Sequence, residues 1–529
     1  MTSITTTSSW SALQRHCEKL ADVALADLYR LDQGRSENLC WTLEGLSVDF
    51  SRQRLTSETF KLLFKLARIA NVEEKRKAMF AGEPINTTEG RPVLHMAPRD
   101  SSGLTSFDAA KLARIQRDAM SNFTAAIRSG QETGMTGHSF TDIVNIGIGG
   151  SHLGPMMVTR ALRSAEDSLQ IHYVANIDGN DLESVLRLVD PERTLFLVAS
   201  KTFTTEETMI NAASAREWLT SFMGEVAVQR HFAAISANNG AAHAFGIDPL
   251  RVFNFAEWVG GRFSLWSSIG LSSMIAIGVK PFEDLLAGAH AVDKHFVTAP
   301  MEKNLPIIMA LTDIWNRSFL NMPARVILPY NERLQHLPVY LQQLEMESNG
   351  KSVTKEGNPV DGVVASLVFG MTGTNAQHSF YQYLHQGPSF AAAEFIGISE
   401  QGHSLIGHHD KLLANMIGQA EALALGSGTP ETPYQICPGN RPSTVILLRR
   451  PDPFHLGMLL GLYEHKVMVE GAIWGINSFD QYGVELGKRL ASATFEAFEK
   501  NITPANPSTA RSIKQIMAWR EKSDTGFKA

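Results

Sequence analysis

The stretch that decides the fold covers residues 142–155 and reads DIVNIGIGGSHLGP. Residues 142–148 predict a buried strand, and the glycines at its end permit a tight turn before a helix that begins near residue 154. Further strands are predicted at 171–176 and 194–199, with a helix between them. Short apolar strands that alternate with helices indicate a parallel sheet covered on both faces.

A second alternating block begins after residue 281. Its candidate strands and helices cover residues 324–328, 337–348, 363–369, 377–386, 394–398, 409–425 and 444–448. Residues 10–80 predict helices, residues 82–100 predict an extended crossing segment, and the last 40 residues predict a helical tail. The fold class is therefore α/β with mainly parallel sheets, a helical N-terminal segment and a C-terminal helical tail.

The composition excludes several classes of protein. Of the 529 residues, 44% are hydrophobic and 19% are charged, and this balance supports a large apolar core. The formal net charge is −6 without a basic tail, so we expect no nucleic-acid or membrane partner. Cys17, Cys40 and Cys437 follow no pairing pattern, and residues 1–10 lack the features of a signal peptide. A reducing, cytoplasmic location is expected.

The turn at residues 147–151 is the first candidate binding site, because a helix N-terminus offers unpaired N–H groups to an anion. Two other interpretations stay open. One is a plain strand–helix turn, and the other is a dinucleotide fingerprint, which is weakened because His152 stands where a third glycine is needed. A second turn, SKTFTTEET at residues 200–208, also follows a strand and opens a helix. Both turns are expected at one sheet edge, where open α/β sheets bind ligands.

Three further side chains are candidates for chemistry: Arg262, Glu347 and His378. Each also has a purely structural interpretation: Arg262 as a surface arginine, Glu347 as part of a solvated helix end, and His378 as a structural histidine. Glu345 and Glu347 are two residues apart on a predicted helix, so only one of them can point into a site. No metal is expected, because the remaining clustered histidines match no ligand spacing: His403, His408 and His409.

Taken together, these segments resemble the phosphoglucose isomerase family over about residues 49–488. The resemblance rests on motifs in the family's order: GIGGSHLGP at 147–155, SKTFTTEET at 200–208, GGRFSLWSSIG at 260–270, EMESNGK at 345–351, GTNAQHSFYQYLHQG at 373–387, LYEHK at 462–466 and FDQYGVELGK at 479–488. It implies two sugar-isomerase (SIS) domains, each an αβα sandwich, at residues 106–280 and 281–490. Residues 1–105 would pack on the second domain, and residues 491–529 would form the helical tail.

The resemblance also implies a reaction and an assembly. Family members interconvert glucose 6-phosphate and fructose 6-phosphate through ring opening and a cis-enediol, in glycolysis and gluconeogenesis, without a cofactor. They are homodimers in which the histidine of the GTNAQH segment, which is His378 here, reaches the active site of the other subunit.

Residue roles follow from the matching motif positions. The substrate phosphate would be held by Ser151, Ser200, Lys201, Thr202 and Thr205, and the sugar site would be lined by Gly150 and Gln343. Glu347 would be the base that moves a proton between C2 and C1. Arg262 would stabilise the enediolate, and His378 would assist ring opening.

Two places depart from the family pattern. His152 replaces the usual aspartate beside the phosphate turn. In the tail, the family's Ser-Thr-Asn-Gly run reads STAR at residues 508–511, and an ungapped comparison places Met517 at the family's lysine. Lys514 lies one helical turn earlier on the same face, and we predict it to be the ring-opening helper.

Two other functions stay open at the level of the sequence. A non-catalytic regulator would keep the fold, bind sugar phosphate and lose turnover, but the presence of Glu347, Arg262 and His378 argues against it. A dinucleotide-dependent oxidoreductase would use the glycine turn, and His152 argues against it.

Overall fold

The computed structural model of the chain describes residues 3–164, 167–389, 391–500 and 502–526. Two compact units are present, one ending at Phe479 and the other beginning at Asp480. The first unit contains two β-sheets joined by helices. The predicted α/β class with mainly parallel sheets is confirmed, whereas the predicted domain boundaries stay a prediction.

The strands are β1 (Cys40–Leu43), β2 (Leu46–Asp49), β3 (Asp142–Ile146), β4 (Gln170–Val174), β5 (Thr194–Ala199), β6 (Phe232–Ser236), β7 (Val252–Asn254), β8 (Ala324–Pro329), β9 (Leu367–Gly370), β10 (Ala392–Ile398) and β11 (Ser443–Leu448). A five-stranded sheet has the order β4-β3-β5-β6-β7 and is parallel throughout. A six-stranded sheet has the order β1-β2-β11-β10-β8-β9. It is parallel except for the pairs β1–β2 and β2–β11.

The helices are α1 (Ser8–Leu20), α2 (Leu25–Leu31), α3 (Arg35–Asn38), α4 (Ser57–Ile69), α5 (Val72–Ala81), α6 (Phe107–Ser129), α7 (Leu153–Leu162), α8 (Gly179–Leu186), α9 (Glu206–Met223), α10 (Val228–His231), α11 (Asn239–Ala244), α12 (Leu271–Ile277), α13 (Val279–Thr298), α14 (Leu305–Ile314), α15 (Leu337–Gln342), α16 (Gly373–Gln377), α17 (Tyr381–Gln386), α18 (His408–Leu425), α19 (Pro453–Trp474), α20 (Glu485–Lys500) and α21 (Pro507–Gly526). Helices α14 and α15 continue into π-helical turns at Trp315–Phe319 and Gln343–Glu347. Across the described ranges, none of the helices combines the length and apolar character that a membrane crossing requires.

The N-terminal segment departs from the prediction of helices alone, because β1 and β2 form a hairpin within it. Glu44 and Gly45 have φ angles of 45° and 91°, as a tight hairpin turn requires. Strand β2 then pairs with β11, with Val48 opposite Ile446. The N-terminal segment therefore supplies the edge of the six-stranded sheet.

The second unit contains α20 and α21. Several apolar side chains of α20 are exposed, among them Leu486, Leu490 and Phe495. Lys514 is an exposed residue of α21.

Helix α19 is buried along its whole length from His455 to Trp474, although it carries several ionisable side chains. A buried charge is stable only when it is paired. The Lys466 ammonium lies 2.7 Å from a carboxylate oxygen of Asp313, 3.0 Å from one of Glu345 and 2.6 Å from one of Glu470. These residues form one part of a buried charge cluster.

Arg325 on β8 completes this charge cluster. Its guanidinium lies 3.1 Å from Asp313 and 2.9 Å from Glu394, and it also pairs with Glu345. The carboxyls of the cluster outnumber its cations by two. Burial accordingly raises the pKa of Glu470 to about 8 and also raises that of Glu394. Burial opposes the ionisation of Asp313 as well, but Arg325 and Lys466 outweigh it and lower the pKa of Asp313 to about 2.

We predict that the free energy of unfolding falls between about pH 6.5 and about pH 8. Folded Glu470 keeps its proton up to a pKa of about 8, whereas the ordinary value is 4.5, so the folded chain binds more protons in this range and rising pH favours the unfolded chain. The expected loss for this one group is on the order of 1–2 kcal/mol.

Urea unfolding at the two pH values measures this difference. Buried histidines such as His95 have a lowered pKa and act in the opposite direction, but only below their ordinary value of 6.5. A free energy of unfolding that stays level or rises over the range would contradict the prediction.

Candidate active site

Gly149–Ser151 forms a single turn between β3 and α7. Gly149 has a φ of 59°, in the left-handed region that favours glycine. Gly150 has no space for a side chain, because a Cβ there would lie 1.9 Å from the carbonyl oxygen of Gly261. The buried Asn145 of β3 donates a 3.1 Å hydrogen bond to the carbonyl of Ser151. The turn is therefore held by a hydrogen bond from β3 and by close packing against the segment that carries Arg262.

A second polar turn joins β5 to α9. Within it, Phe203 has a φ of 56°, which is uncommon for a residue other than glycine, and its ring is buried in the core. The Ser200 hydroxyl donates to Thr205 Oγ1 at 3.1 Å, and the hydroxyls of Thr202 and Thr204 lie 2.7 Å apart. The buried Phe203 ring anchors a turn whose hydroxyl groups lie close together.

The two turns lie side by side at the carboxyl edge of the five-stranded sheet, as the sequence predicted. Strands β3 and β5 are parallel neighbours, with Ile146 opposite Val198. A Cβ on Gly147 would lie 2.9 Å from Ser151 Cβ and 3.0 Å from the carbonyl oxygen of Ala199. The hydroxyls of both turns and the N-termini of α7 and α9 therefore lie at the same edge of the sheet, which is a suitable environment for an anion.

Lys201 adds a cation to these turns. Its ammonium donates to the carbonyls of Glu257 and Val259 at 3.1 and 3.3 Å, and it lies 5.2 Å from the centre of the Phe255 ring. Burial, followed by the neighbouring charge of Arg91, lowers the pKa of Lys201. A bound anion would oppose this lowering, because its negative charge favours the protonated ammonium.

Arg262 is the buried cation of the site, with a side chain that is 1% exposed. Its Nε donates to Ser348 Oγ at 2.6 Å, one terminal nitrogen donates to Glu347 Oε1 at 2.8 Å, and the other donates to the carbonyl of Ser478 at 2.7 Å. Ser348 and Ser478 were not among the predicted site residues. The one signal for them was their position, since Ser348 lies within the motif at residues 345–351 and Ser478 directly precedes the motif at 479–488.

Glu347 lies at the end of the π-helical turn that follows α15, and its side chain is 27% exposed. Gln343 Nε2 donates to Glu347 Oε2 at 3.3 Å. A Cβ on Gly149 would lie 3.1 Å from Gln343 Nε2, so the glycine turn of the first sheet reaches this helix. Glu345 instead points into the charge cluster, which agrees with the prediction that only one of the two glutamates faces a site. Single π-helical turns frequently occur at functional sites.

The arrangement combines three chemical capacities. The two turns and Lys201 can hold an anion. The Glu347 carboxylate can accept and return a proton. The Arg262 guanidinium, held by fixed partners, can stabilise an oxyanion that develops beside it.

His378 follows α16 and is exposed. Gln377 Nε2 donates to the Tyr330 hydroxyl at 3.0 Å, which anchors the end of this helix. Among the contacts of the described residues, none joins the His378 side chain to Glu347 or Arg262. The role of His378 stays a prediction, and so does that of Lys514, which belongs to the second unit.

His152 lies directly before α7, and its ring centre is 5.9 Å from that of Tyr173. Burial lowers the pKa of His152 and favours the neutral ring. A neutral ring at this position adds no negative charge beside the glycine turn.

Within the described part of the chain, one group of carboxyls lies close enough to share a metal ion: Asp313, Glu345 and Glu470. The Lys466 ammonium lies within 3.0 Å of an oxygen of each, so it occupies the place that an ion would take. This group is therefore a paired charge cluster.

Comparisons with known proteins show the family to which the chain belongs. The family model described as phosphoglucose isomerase matches residues 49–513. A glucose-6-phosphate isomerase from Anaeromyxobacter sp. (strain K) is 48% identical over 521 residues, which cover 95% of each chain. One from Roseiflexus castenholzii is 46% identical and covers 98% of this chain and 99% of its own length. The crystal structure of a glucose-6-phosphate isomerase from Chlamydia trachomatis superposes with a TM-score of 0.86 at 32% identity, covering 98% of this chain and 99% of that chain. The chain therefore belongs to the phosphoglucose isomerase family.

Proposed function

We propose that this chain interconverts glucose 6-phosphate and fructose 6-phosphate, with Glu347 as the base that moves a proton between C2 and C1. The observation that carries the proposal is the contact of the Glu347 carboxylate with the buried Arg262 guanidinium. Near-full-length relatives named glucose-6-phosphate isomerase support the same reaction and substrate.

The protein holds the substrate by its phosphate group, which lies at the end away from the reacting carbons C1 and C2. Ser151, Ser200, Thr202 and Thr205 supply hydroxyls from the two turns, and Lys201 supplies a positive charge. Gly150 and Gln343 line the space between these turns and Glu347. Binding energy from this remote group can orient the reacting carbons against the base.

The proton transfer then requires a base and a cation. Glu347 removes the proton from C2 beside the C1 carbonyl, and the electron pair of the broken C–H bond forms the C1–C2 double bond of an enediolate. The same carboxyl returns the proton to C1, and the C2 hydroxyl passes its proton to the oxyanion on C1, so that C2 becomes the carbonyl and C1 carries the hydroxyl. Arg262 stabilises the charge on the enediolate oxygen, and a fixed donor of this kind contributes roughly 3–4 kcal/mol.

Ring opening comes first, because the substrate is mostly a closed ring. We assign proton transfer at the ring oxygen and the C1 hydroxyl to His378 and Lys514. In support, His378 is exposed and so is available to a second copy of the chain. The active unit is accordingly a homodimer that exchanges His378 across its interface. A cytoplasmic location is supported by the free thiols of Cys17, Cys40 and Cys437.

Replacing Glu347 with glutamine is expected to lower isomerisation by roughly 10²- to 10⁴-fold, because the amide cannot accept the C2 proton. Fructose 6-phosphate binding, measured by calorimetry, should survive because the phosphate contacts remain. Exchange of the C2 proton with deuterated water should disappear. Glu302→Gln, an exposed glutamate paired with Arg68, is the matched control and should keep the full rate. A Glu347→Gln variant with most of its rate would show that another group is the base.

Exchange of His378 between subunits predicts complementation. Glu347→Gln and His378→Ala homodimers should both be nearly inactive, whereas their mixed dimer contains one intact site. A random mixture should therefore recover about a quarter of the wild-type rate. If native mass spectrometry shows mixed dimers and the rate does not recover, His378 does not act across an interface.

Lys514→Ala and Met517→Ala should differ if Lys514 serves ring opening. We expect Lys514→Ala to slow anomer exchange of glucose 6-phosphate by about tenfold or more, since a proton-transfer group is lost. The C2 proton exchange of substrate that is already open should change little. Met517→Ala is the control and should leave both rates intact. Unchanged anomer exchange in Lys514→Ala would remove Lys514 from the mechanism.

A further inference from the structure

A chain of hydrogen bonds lies behind Arg262, and the mechanism above does not use it. The Ser478 carbonyl accepts from the Arg262 guanidinium at 2.7 Å. The Ser478 hydroxyl donates to Asn349 Oδ1 at 2.7 Å, and Asn349 Nδ2 donates to Glu470 Oε2 at 3.0 Å. Glu470 lies on α19 and belongs to the charge cluster, so these hydrogen bonds connect Arg262 to α19.

The members of this chain are buried. Ser478 and Glu470 are each 2% exposed, and Asn349 is 1% exposed. A hydrogen bond shielded from water is difficult to replace, because loss of one partner leaves the other unsatisfied. Asn349 Nδ2 also donates to the carbonyl of Val467 at 3.2 Å. The amide of Asn349 therefore has a defined orientation, with its oxygen directed at Ser478.

The backbone of α19 also packs closely against this chain of hydrogen bonds. A Cβ added at Gly471 would lie 1.9 Å from Ser478 Oγ, 3.2 Å from Ser478 Cβ and 3.3 Å from Asn349 Oδ1. Only a glycine leaves space for the Ser478 hydroxyl at this point. The position of Ser478 is thus determined by close packing as well as by hydrogen bonds.

We propose that Ser478 and Asn349 are positioning residues for the isomerisation, because they hold the Ser478 carbonyl against Arg262 and so fix the guanidinium relative to Glu347. Neither residue needs to touch the substrate. The inference rests on the proposed function, since it acts through Arg262 and Glu347. It adds that the geometry of this catalytic pair depends on the interior of the protein, through α19.

Ser478→Ala tests the proposal with a minimal change, because it removes the hydroxyl and keeps the backbone carbonyl. We expect kcat to fall about tenfold while KM changes less than about twofold, since the phosphate contacts are untouched. Ser273→Ala is the matched control. The Ser273 hydroxyl is also buried and donates to the carbonyl of Pro155 at 2.9 Å, so its loss should lower thermal stability similarly without changing kcat. An unchanged kcat in Ser478→Ala would overturn the proposal.

An Arg262→Lys background separates positioning from general stability. Lysine lacks the forked guanidinium, so there is nothing left for Ser478 to orient, and Ser478→Ala should then lower kcat less than about twofold. A full tenfold loss in this background would mean that Ser478 acts independently of Arg262, and would overturn the proposal.

Gly471→Ala perturbs the chain from the opposite side. The added methyl group should displace the Ser478 hydroxyl and lower kcat, and combination with Ser478→Ala should relieve the clash and cause no further loss. Additive losses would contradict a shared chain. If Glu347→Gln is inactive and Ser478→Ala has normal kcat, the positioning role alone is wrong. If Glu347→Gln keeps its rate, the proposed function itself fails.

Discussion

The rest of the site depends on the hydrogen bonds of the buried Arg262 guanidinium. A buried cation is stable only with partners, and here they come from separate parts of the chain. Glu347 and Ser348 come from the helical segment after β8, while Ser478 comes from the segment after α19. The backbone beside Arg262 also contacts Gly150 in the glycine turn. One side chain thus joins the polar turns of the five-stranded sheet to Glu347, which belongs to the part of the fold that contains the six-stranded sheet.

Helix α19 explains how such a site is held. Its buried Lys466 forms an ion pair with Glu345, so this face of the π-helical turn packs against α19. Glu347, two residues later, lies on a different face and contacts Arg262. The same helix supports Ser478 through Glu470 and Asn349. Burial raises the pKa of Glu470, and the neighbouring carboxylates of Asp313 and Glu345 add to this rise. The charge cluster in the core is therefore connected by hydrogen bonds to the residues that hold Arg262.

The sequence pattern predicted the elements that local physics governs. Strands β3 and β5, each followed by a polar turn, were expected close to where they lie, because an apolar run and a turn are signals within a few neighbouring residues. The β1–β2 hairpin was wrongly assigned to helices. Its stability comes from pairing with β11, about 400 residues later, and such pairing leaves no local periodicity to distinguish it from the helices around it.

By itself, the sequence determined the α/β class and the two polar turns at one edge of a parallel sheet, whereas the roles of Glu347 and Arg262, which the family resemblance implies, stay predictions. The tertiary structure decided which glutamate faces the site, why Gly150 must lack a side chain, and that Ser348 and Ser478 hold the guanidinium. Arg262 and Glu347 are 85 residues apart in the chain, and Arg262 and Ser478 are 216 apart. Periodicity reports only on neighbours along the chain, whereas these contacts exist because folding brings distant segments within hydrogen-bonding distance.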